Sequence, residues 1–317
     1  MKGSVAPRLD KRVWAGQSVK TLSNAAGSTA GRKRTVHGLP AAQAVSDDAR
    51  RPAAGRTGPR LRVAGSRRFR IGIASLAGTL ALWWLLTSLT GLIGPHRFPA
   101  PAEFWAAFVQ IAVDGYAGGT LLTQAWHSTR LVIMGFLVAI ATGVPLGLVM
   151  GISHRAEALL NPAFLLVRPI PPLAWIPLAI VWLGLGDAAK ILVIWFAAFV
   201  PSVINTWTGV RGVDRTLIEA ARVHGAGELR LLREVVIPGS LPMMFTGLRL
   251  SLQASWTTLV AAELVGAFFG LGRVLDAAYR DINPPMIAVA MLAVGVLGAL
   301  TTRLVAVAER RLTPWRS

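Results

Sequence analysis

Arg168 and Glu263 are the residues of this 317-residue chain best placed to do chemistry, because each is an ionised side chain set in an otherwise apolar stretch. A charge within an apolar span marks a solute path, a proton relay or an interfacial anchor. Arg168 lies among Pro162, Pro169, Pro171, Pro172 and Pro177, where it would meet an anionic solute or snorkel to nearby lipid headgroups. Arg249, in another apolar run, invites the snorkelling reading. Glu263, within Ala261-Ala262-Glu263-Leu264-Val265-Gly266, would bind a coupling proton, close an interfacial salt bridge or accept hydrogen bonds at a helix end. The chemistry of an enzyme has no such foothold. There is no cysteine, and the five histidines, His37, His96, His127, His154 and His224, show no i, i+4 or other metal-ligand spacing. Neither a Gly-x4-Gly-Lys-Ser/Thr phosphate loop, a Gly-x-Ser-x-Gly elbow nor a His-Glu-x-x-His pair occurs, so the chain reads as neither ATPase nor hydrolase.

The elements that position these charges are membrane spans. Hydrophobic residues make up 53% of the chain and charged ones 15%, with a mean hydropathy of +0.53, outside the range of an ordinary soluble domain. Six runs approach the ~20 residues needed to cross the hydrocarbon core. They cover Ile71 to Gly94, Leu131 to Ile152, Leu159 to Leu185, Ile191 to Val210, Met243 to Phe269 and Met286 to Ala308. Six crossings return the C-terminus to the side of the N-terminus, and the Arg-rich ends then agree on a cytoplasmic face. Between the first two runs, Ala102 to Val113 with Phe104, Trp105, Phe108 and Ile111 reads as an amphipathic helix lying on the outer surface or packed on the bundle. The third run cannot be one regular helix, since each interior proline removes a hydrogen bond and clashes with the preceding turn. Irregular backbone at membrane depth is stable only against protein or a water-filled cavity, so this segment is expected to line the translocation path, with Arg168, Pro169, Pro171, Pro172 and Trp175 as its candidates beside Glu263.

The formal charge of +18 is concentrated at one end. Residues 1–70 hold 16 Lys/Arg against three Asp/Glu, a net of +13, in a Gly-, Ala-, Ser- and Pro-rich sequence with no apolar period. Such a segment cannot bury enough surface to offset its ordering entropy and is expected to be a disordered, basic cytoplasmic leader before a transmembrane domain over 71–317. Anionic headgroups suit its charge. No interleaved aromatics favour nucleic acid. Ser66-Arg67-Arg68-Phe69-Arg70 partly resembles a twin-arginine signal, with Ala100-Pro101-Ala102 as a cleavage form, but the run that follows is too long for a signal peptide. An over-extended start, with the true one near Arg60, is a further reading.

Between the fourth and fifth runs, at about 210–242, lies a polar loop containing Glu219-Ala220-Ala221, Gly225 after three intervening residues, and Val235, Ile237 and Pro238 after a nine-residue gap. Thr216-x-x-Glu219 fits a capping box. One turn later Leu217, Ala220, Ala221 and His224 share a small-residue face suited to docking in a partner's groove. Gly225 is expected to end this helix in a left-handed conformation. The spacing E-A-A-x3-G-x9-I-x-L-P, with Val235 and Ile237 in the apolar positions, resembles the coupling loop of permease subunits of ATP-binding cassette importers. From about Leu80 to Arg316 the chain is similar to the nitrate, aliphatic sulfonate and taurine branch of that family. Phe98-Pro99-Ala100-Pro101, Ser128-x-Arg130 with Gly135-Phe136, Trp182-Leu183-Gly184-Leu185-Gly186 with Lys190, and Phe199-x-Pro201-x3-Asn205-Thr206 with Gly209-Val210-Arg211 carry the likeness.

That resemblance implies an all-α, six-span, type I importer fold of MetI-like architecture in the bacterial inner membrane. It implies a permease homodimer, two ATPase subunits that bind the ATP, an extracytoplasmic solute-binding protein, and no cofactor or metal in this chain. Thr216, Leu217, Glu219, Ala220, Ala221, His224, Gly225 and Pro238 then form the ATPase-coupling loop. The expected cargo is a small anion, aliphatic sulfonate or taurine before nitrate, bicarbonate or a pyrimidine-type precursor. Two readings from other classes stand beside it: a self-contained proton-coupled transporter using Glu263, against which the missing inverted halves count, and a membrane anchor whose leader binds nucleic acid in a salt-sensitive manner.

Overall fold

The computed structural model describes residues 63–89 and 97–316, all of them helix, turn or loop apart from one isolated bridge between Tyr116 and Gly119. Most of the expected leader, residues 1–62, lies outside the described residues. Its last eight do not extend it: α1 begins at Val63 rather than Ile71 and runs to Trp84, continuing as a π-turn over Leu85–Leu89. Two units divide the described chain, α1 up to Leu82 and a body from Trp83 onward. Apolar residues dominate α1, whose Thr79 hydroxyl is absorbed by the Ser75 carbonyl one turn earlier.

Within the body come α2 (Pro101–Val113), α3 (Leu121–Ile152), α4 (His154–Val167), α5 (Ile176–Leu183), α6 (Asp187–Arg211), α7 (Arg215–Val223), α8 (Glu228–Leu231), α9 (Ile237–Gly266), α10 (Leu271–Arg280) and α11 (Pro284–Leu312). Among the described residues five helical stretches are long and apolar enough to cross a membrane, and the α4–α5 pair, bent by 80°, makes a sixth. The helices overrun the apolar runs because their polar ends keep helical hydrogen bonds beyond the hydrocarbon: α3, at 32 residues and ~1.5 Å per residue, is ~48 Å long against a core of ~30 Å.

The body is organised around α3, α6 and α9. Along α3 the residues facing α6 are Gly135, Ala139, Gly143, Gly147 and Gly151, one every turn. A Cβ at Gly147 would stand 2.7 Å from the Val203 carbonyl oxygen, so this position of α3 admits hydrogen alone. Lipid-embedded helices gain little from apolar burial against one another, and small residues that let backbones approach supply dispersion contact instead. Leu131, Phe136, Ile194, Leu252, Trp256 and Leu259 fill the spaces between. Several polar groups inside are paired: Ser202 Oγ lies 2.8 Å from Ser251 Oγ, which donates to the Ala198 carbonyl, and Trp256 Nε1 donates to Thr301 Oγ1 at 3.0 Å.

Helix α2 packs on the body. Ala107, Ile111 and Phe108 meet Val274 and Ala278 of α10 and Met286 of α11, while Trp105 stacks on Phe108 and remains exposed. Of the four residues expected on one apolar side, Trp105 alone turns outward.

Candidate coupling loop and translocation path

The polar loop folds as two short helices pinned to the end of the bundle. Ile218, Leu231 and Val236 bury against Val210 and Val213 of the α6 terminus, with Leu148 and Ile152 of α3 beside them. Asp214, not Thr216, is the N-cap of α7: its carboxylate accepts from the Thr216 N–H at 2.9 Å. The Thr-x-x-Glu pattern matches a capping box, but Asp214, two residues before Thr216, caps the Thr216 N–H and starts the helix at Arg215 instead. These hydrogen bonds from Thr216 hold the Asp214 carboxyl below its ordinary range. The helix ends at Gly225, φ +79°, in a Schellman arrangement, with Ala226 N–H donating to the Ala221 carbonyl and Gly225 N–H to the Arg222 carbonyl. Pro238 has no N–H to give, and just before it the Ile237 N–H reaches five residues back to Leu232, which widens Leu232–Val236 into a π-turn.

Leu217, Glu219, Ala220 and His224 face solvent, with the His224 ring Nδ1 2.8 Å from the Ala220 carbonyl oxygen. Ala221, expected on the same face, instead packs inward beside Ile218. Val223, 86% exposed, and Leu229, 61% exposed, extend the outward apolar surface and were missed by the motif reading. Exposed aliphatic side chains of this size beside a helix pinned from behind suit docking in a groove.

The second feature is the break between α4 and α5. Pro162 is tolerated inside α4, but after Arg168, its C-cap, residues 169–171 leave the helix, and Pro172–Trp175 form a 3-10 turn into α5, where Pro177 occupies the first turn. Pro172 and Pro177 stand in first turns, where the missing N–H is unused, whereas Pro162 forgoes one hydrogen bond within α4. The break opens a cavity of about 190 Å³ lined by Val167, Arg168, Ile170, Pro172 and Trp175 on one side and by Phe196, Ala197, Val200 and Pro201 on the other. Trp175 stacks on Phe196, ring centroids 4.0 Å apart. Phe196 and Pro201 flank the midpoint of α6, ~14 Å from either end at ~1.5 Å per residue, so the cavity wall containing Arg168 lies at the middle of a span and not near its end. Among the described residues no carboxylate lies within ion-pair distance of Arg168. Pro169 and Pro171 are exposed beside it.

Glu263 does not share that cavity. It is 1% exposed, and its carboxylate accepts from Ser128 Oγ at 2.8 and 3.1 Å and from the Gly272 N–H at 2.8 Å. Ser128 Oγ in turn accepts from the Leu271 N–H at 2.9 Å, and Gln124 Oε1 from the Gly270 N–H at 2.6 Å. These are the first N–H groups of α10, which no helix satisfies for itself, and an anion at that end also meets the favourable pole of the helix dipole. Gln124 had escaped the sequence reading, and Ser128, one turn on in α3, was noted for the family likeness alone; their polarity at i, i+4 in an apolar helix was the available signal. Nearby Asp187 gathers His127 at 3.4 Å, Arg130 at 3.3 Å and the buried Lys190 at 3.7 Å. Among the described residues no three potential metal ligands converge.

The sequence profile of the binding-protein-dependent transport system inner membrane component matches residues 143–314. The taurine transport system permease protein TauC of Escherichia coli is 35% identical over 251 residues, covering 79% of this chain and 91% of that protein. A probable ABC transporter permease protein of Brucella abortus is 39% identical over 246 residues, covering 78% and 95%, and the putative aliphatic sulfonates transport permease SsuC of Bacillus subtilis is 33% identical, covering 78% and 87%. A chain of the MetNI methionine ABC transporter in an inward-facing conformation superposes with a TM-score of 0.54 at 21% identity, covering 61% of this chain and 96% of that one, which shows the fold. The chain belongs to the binding-protein-dependent transport system inner membrane components, the multi-pass permease subunits of ABC importers, in which nucleotide binding resides in partner ATPases.

Proposed function

We propose that this permease carries a small organic anion, an aliphatic sulfonate or taurine, through a path formed at the α4–α5 break of two copies of the chain, and that the Glu219 loop seats the ATPase subunits. One observation carries the reading: the Arg168 guanidinium, with no carboxylate within ion-pair distance among the described residues, lines a cavity walled by a stacked Trp175–Phe196 pair beside the midpoint of α6. A sulfonate offers three acceptor oxygens to Arg168 and a short aliphatic tail to the indole, and the charge-assisted bond gains strength where water is scarce. The relatives that carry taurine or aliphatic sulfonates support this choice of cargo, and a bicarbonate permease at 32% identity supplies the nearest competitor.

Reconstituted with its ATPase and binding protein, Arg168→Gln is expected to lower taurine uptake by roughly 10- to 100-fold, the equivalent of one charge-assisted hydrogen bond of ~1.5–3 kcal/mol. Arg168→Lys retains the charge and should lose less. Uptake by Arg168→Gln at the parental rate would remove Arg168 from the path.

Both termini and the Glu219 loop are cytoplasmic in this arrangement, because Arg211, Arg215, Arg222, Arg230 and Arg233 cluster on the loop side together with Arg303, Arg310 and Arg311. With no native cysteine to interfere, Gly227→Cys, at an exposed site with open space for a Cβ, is expected to react only with a membrane-permeant thiol reagent in sealed cells. Exposed Asp114→Cys should react with an impermeant one. The opposite pattern inverts the topology.

A further inference from the structure

We infer that the Arg211–Glu157 ion pair is the mechanical link that carries motion of the loop to the cavity at the α4–α5 break. The inference rests on the reading of the Glu219 loop as the ATPase seat. Arg211 is the last residue of α6 and stands between Val210 and Val213, the two residues on which the loop's buried side chains pack. Its guanidinium lies over the Trp207 ring, 5.5 Å from the centroid, and binds the carboxylate of Glu157, 13% exposed, in the first turn of α4.

The geometry of α4 makes that contact mechanically significant. A single extended residue, Ser153, separates α4 from α3 and offers a hinge about which α4 would swing. Glu157 is four residues from the hinge and Arg168 fifteen; at ~1.5 Å per residue these are ~6 and ~22 Å, so a shift of ~1 Å at Glu157 becomes nearly ~4 Å at Arg168. Besides the ion pair, α4 meets α6 through Leu160 and Phe164 in an apolar cluster with Phe199, Val203 and Trp207, contacts that carry no direction of their own. An ion pair in a half-buried setting is directional and fixes the angle of α4 to the end of α6 that the loop grips.

The test uses the complete transporter, with ATPases and binding protein, in proteoliposomes, and reads solute imported per ATP hydrolysed. In Glu157→Gln the ATPases should remain bound and hydrolyse ATP, while solute per ATP falls at least tenfold. Glu157→Asp, which keeps the charge one methylene short, should fall between. The exchange Glu157→Arg with Arg211→Glu should recover the ratio to within about threefold of the parent, which a merely structural role in folding would not demand. A parental ratio in both single variants, or an exchanged pair no better than Glu157→Gln, overturns the inference; if Glu157→Gln does not insert, the Asp variant and the exchanged pair decide. Failure of the loop reading is separable, since it shows as ATPases retained and stimulated through a loop disrupted at Gly225, whatever Glu157 does.

Discussion

Gly225→Val is expected to insert in the membrane at parental levels, to lose its ATPase subunits on purification and to reduce uptake to background. The argument is conformational. Gly225 has φ +79°, and a Cβ there would meet nothing within 4 Å, so the substitution introduces no clash with the rest of the molecule. Its cost is the left-handed backbone itself, ~1–3 kcal/mol for a non-glycine residue and toward the upper end for a β-branched one. That sum is too small to unfold a body held by the α3–α6–α9 contacts, yet it is comparable to what holds two short helices to the bundle through Ile218, Leu231 and Val236. The chain relieves the strain by opening the Schellman turn, which rotates α7 against α8 and separates Leu217 and Val223 from Leu229. Gly225→Asn, which tolerates this region better, should keep most of the activity. Co-purification of the ATPases, with solute-stimulated ATP hydrolysis, measures both. Parental transport by the valine variant would show that this loop does not seat the motor.

Gly225 was legible in the sequence because a helix stop is a local matter: a small-residue helix followed by Gly and, further on, Pro has few other solutions. The α4–α5 break was legible for the same reason, five prolines in sixteen residues leaving no regular helix to be drawn. What escaped was either a competition between adjacent signals or a contact across many residues. Asp214 and Thr216 both qualify as caps, and composition gives no order between them. For Arg168 the sequence offered both an anion contact and a snorkelling side chain, because counting residues gives a depth but not what the 80° bend sets opposite it. The gripping of α10 by Gln124, Ser128 and Glu263 joins positions more than a hundred residues apart, which no periodicity encodes. Even the glycine stripe of α3 was visible only as scattered glycines until α6 was seen to lie in it.

Gly270→Ala is expected to be the most destabilising single methyl addition in the body, and with Glu263→Gln it separates a structural carboxylate from a proton carrier. Gly270 has φ +120° and ψ 165°, a region open to glycine alone, at a cost of ~1–3 kcal/mol for alanine. The new methyl would also overlap the Glu263 carboxylate, which has no free volume to enter: it would leave Ser128 and the Gly272 N–H, each a charge-assisted bond worth ~1.5–3 kcal/mol net, and strand a buried anion. A total of ~4–9 kcal/mol corresponds to a fall in the melting temperature of the detergent-solubilised protein of roughly 10–30 °C. Glu263→Gln keeps the side-chain length and one acceptor oxygen, enough for the Gly272 N–H, while its amide can donate to Ser128 Oγ. The melting temperature should drop by only a few degrees, and ATP-driven uptake should persist across the pH range the parent tolerates. The order of the two effects carries the argument: a cap is sensitive to the space it occupies and tolerant of its charge state, whereas a proton carrier is the reverse. Abolished uptake in a Glu263→Gln protein that melts with the parent would therefore assign the carboxylate to proton movement and reopen the secondary-transport mechanism.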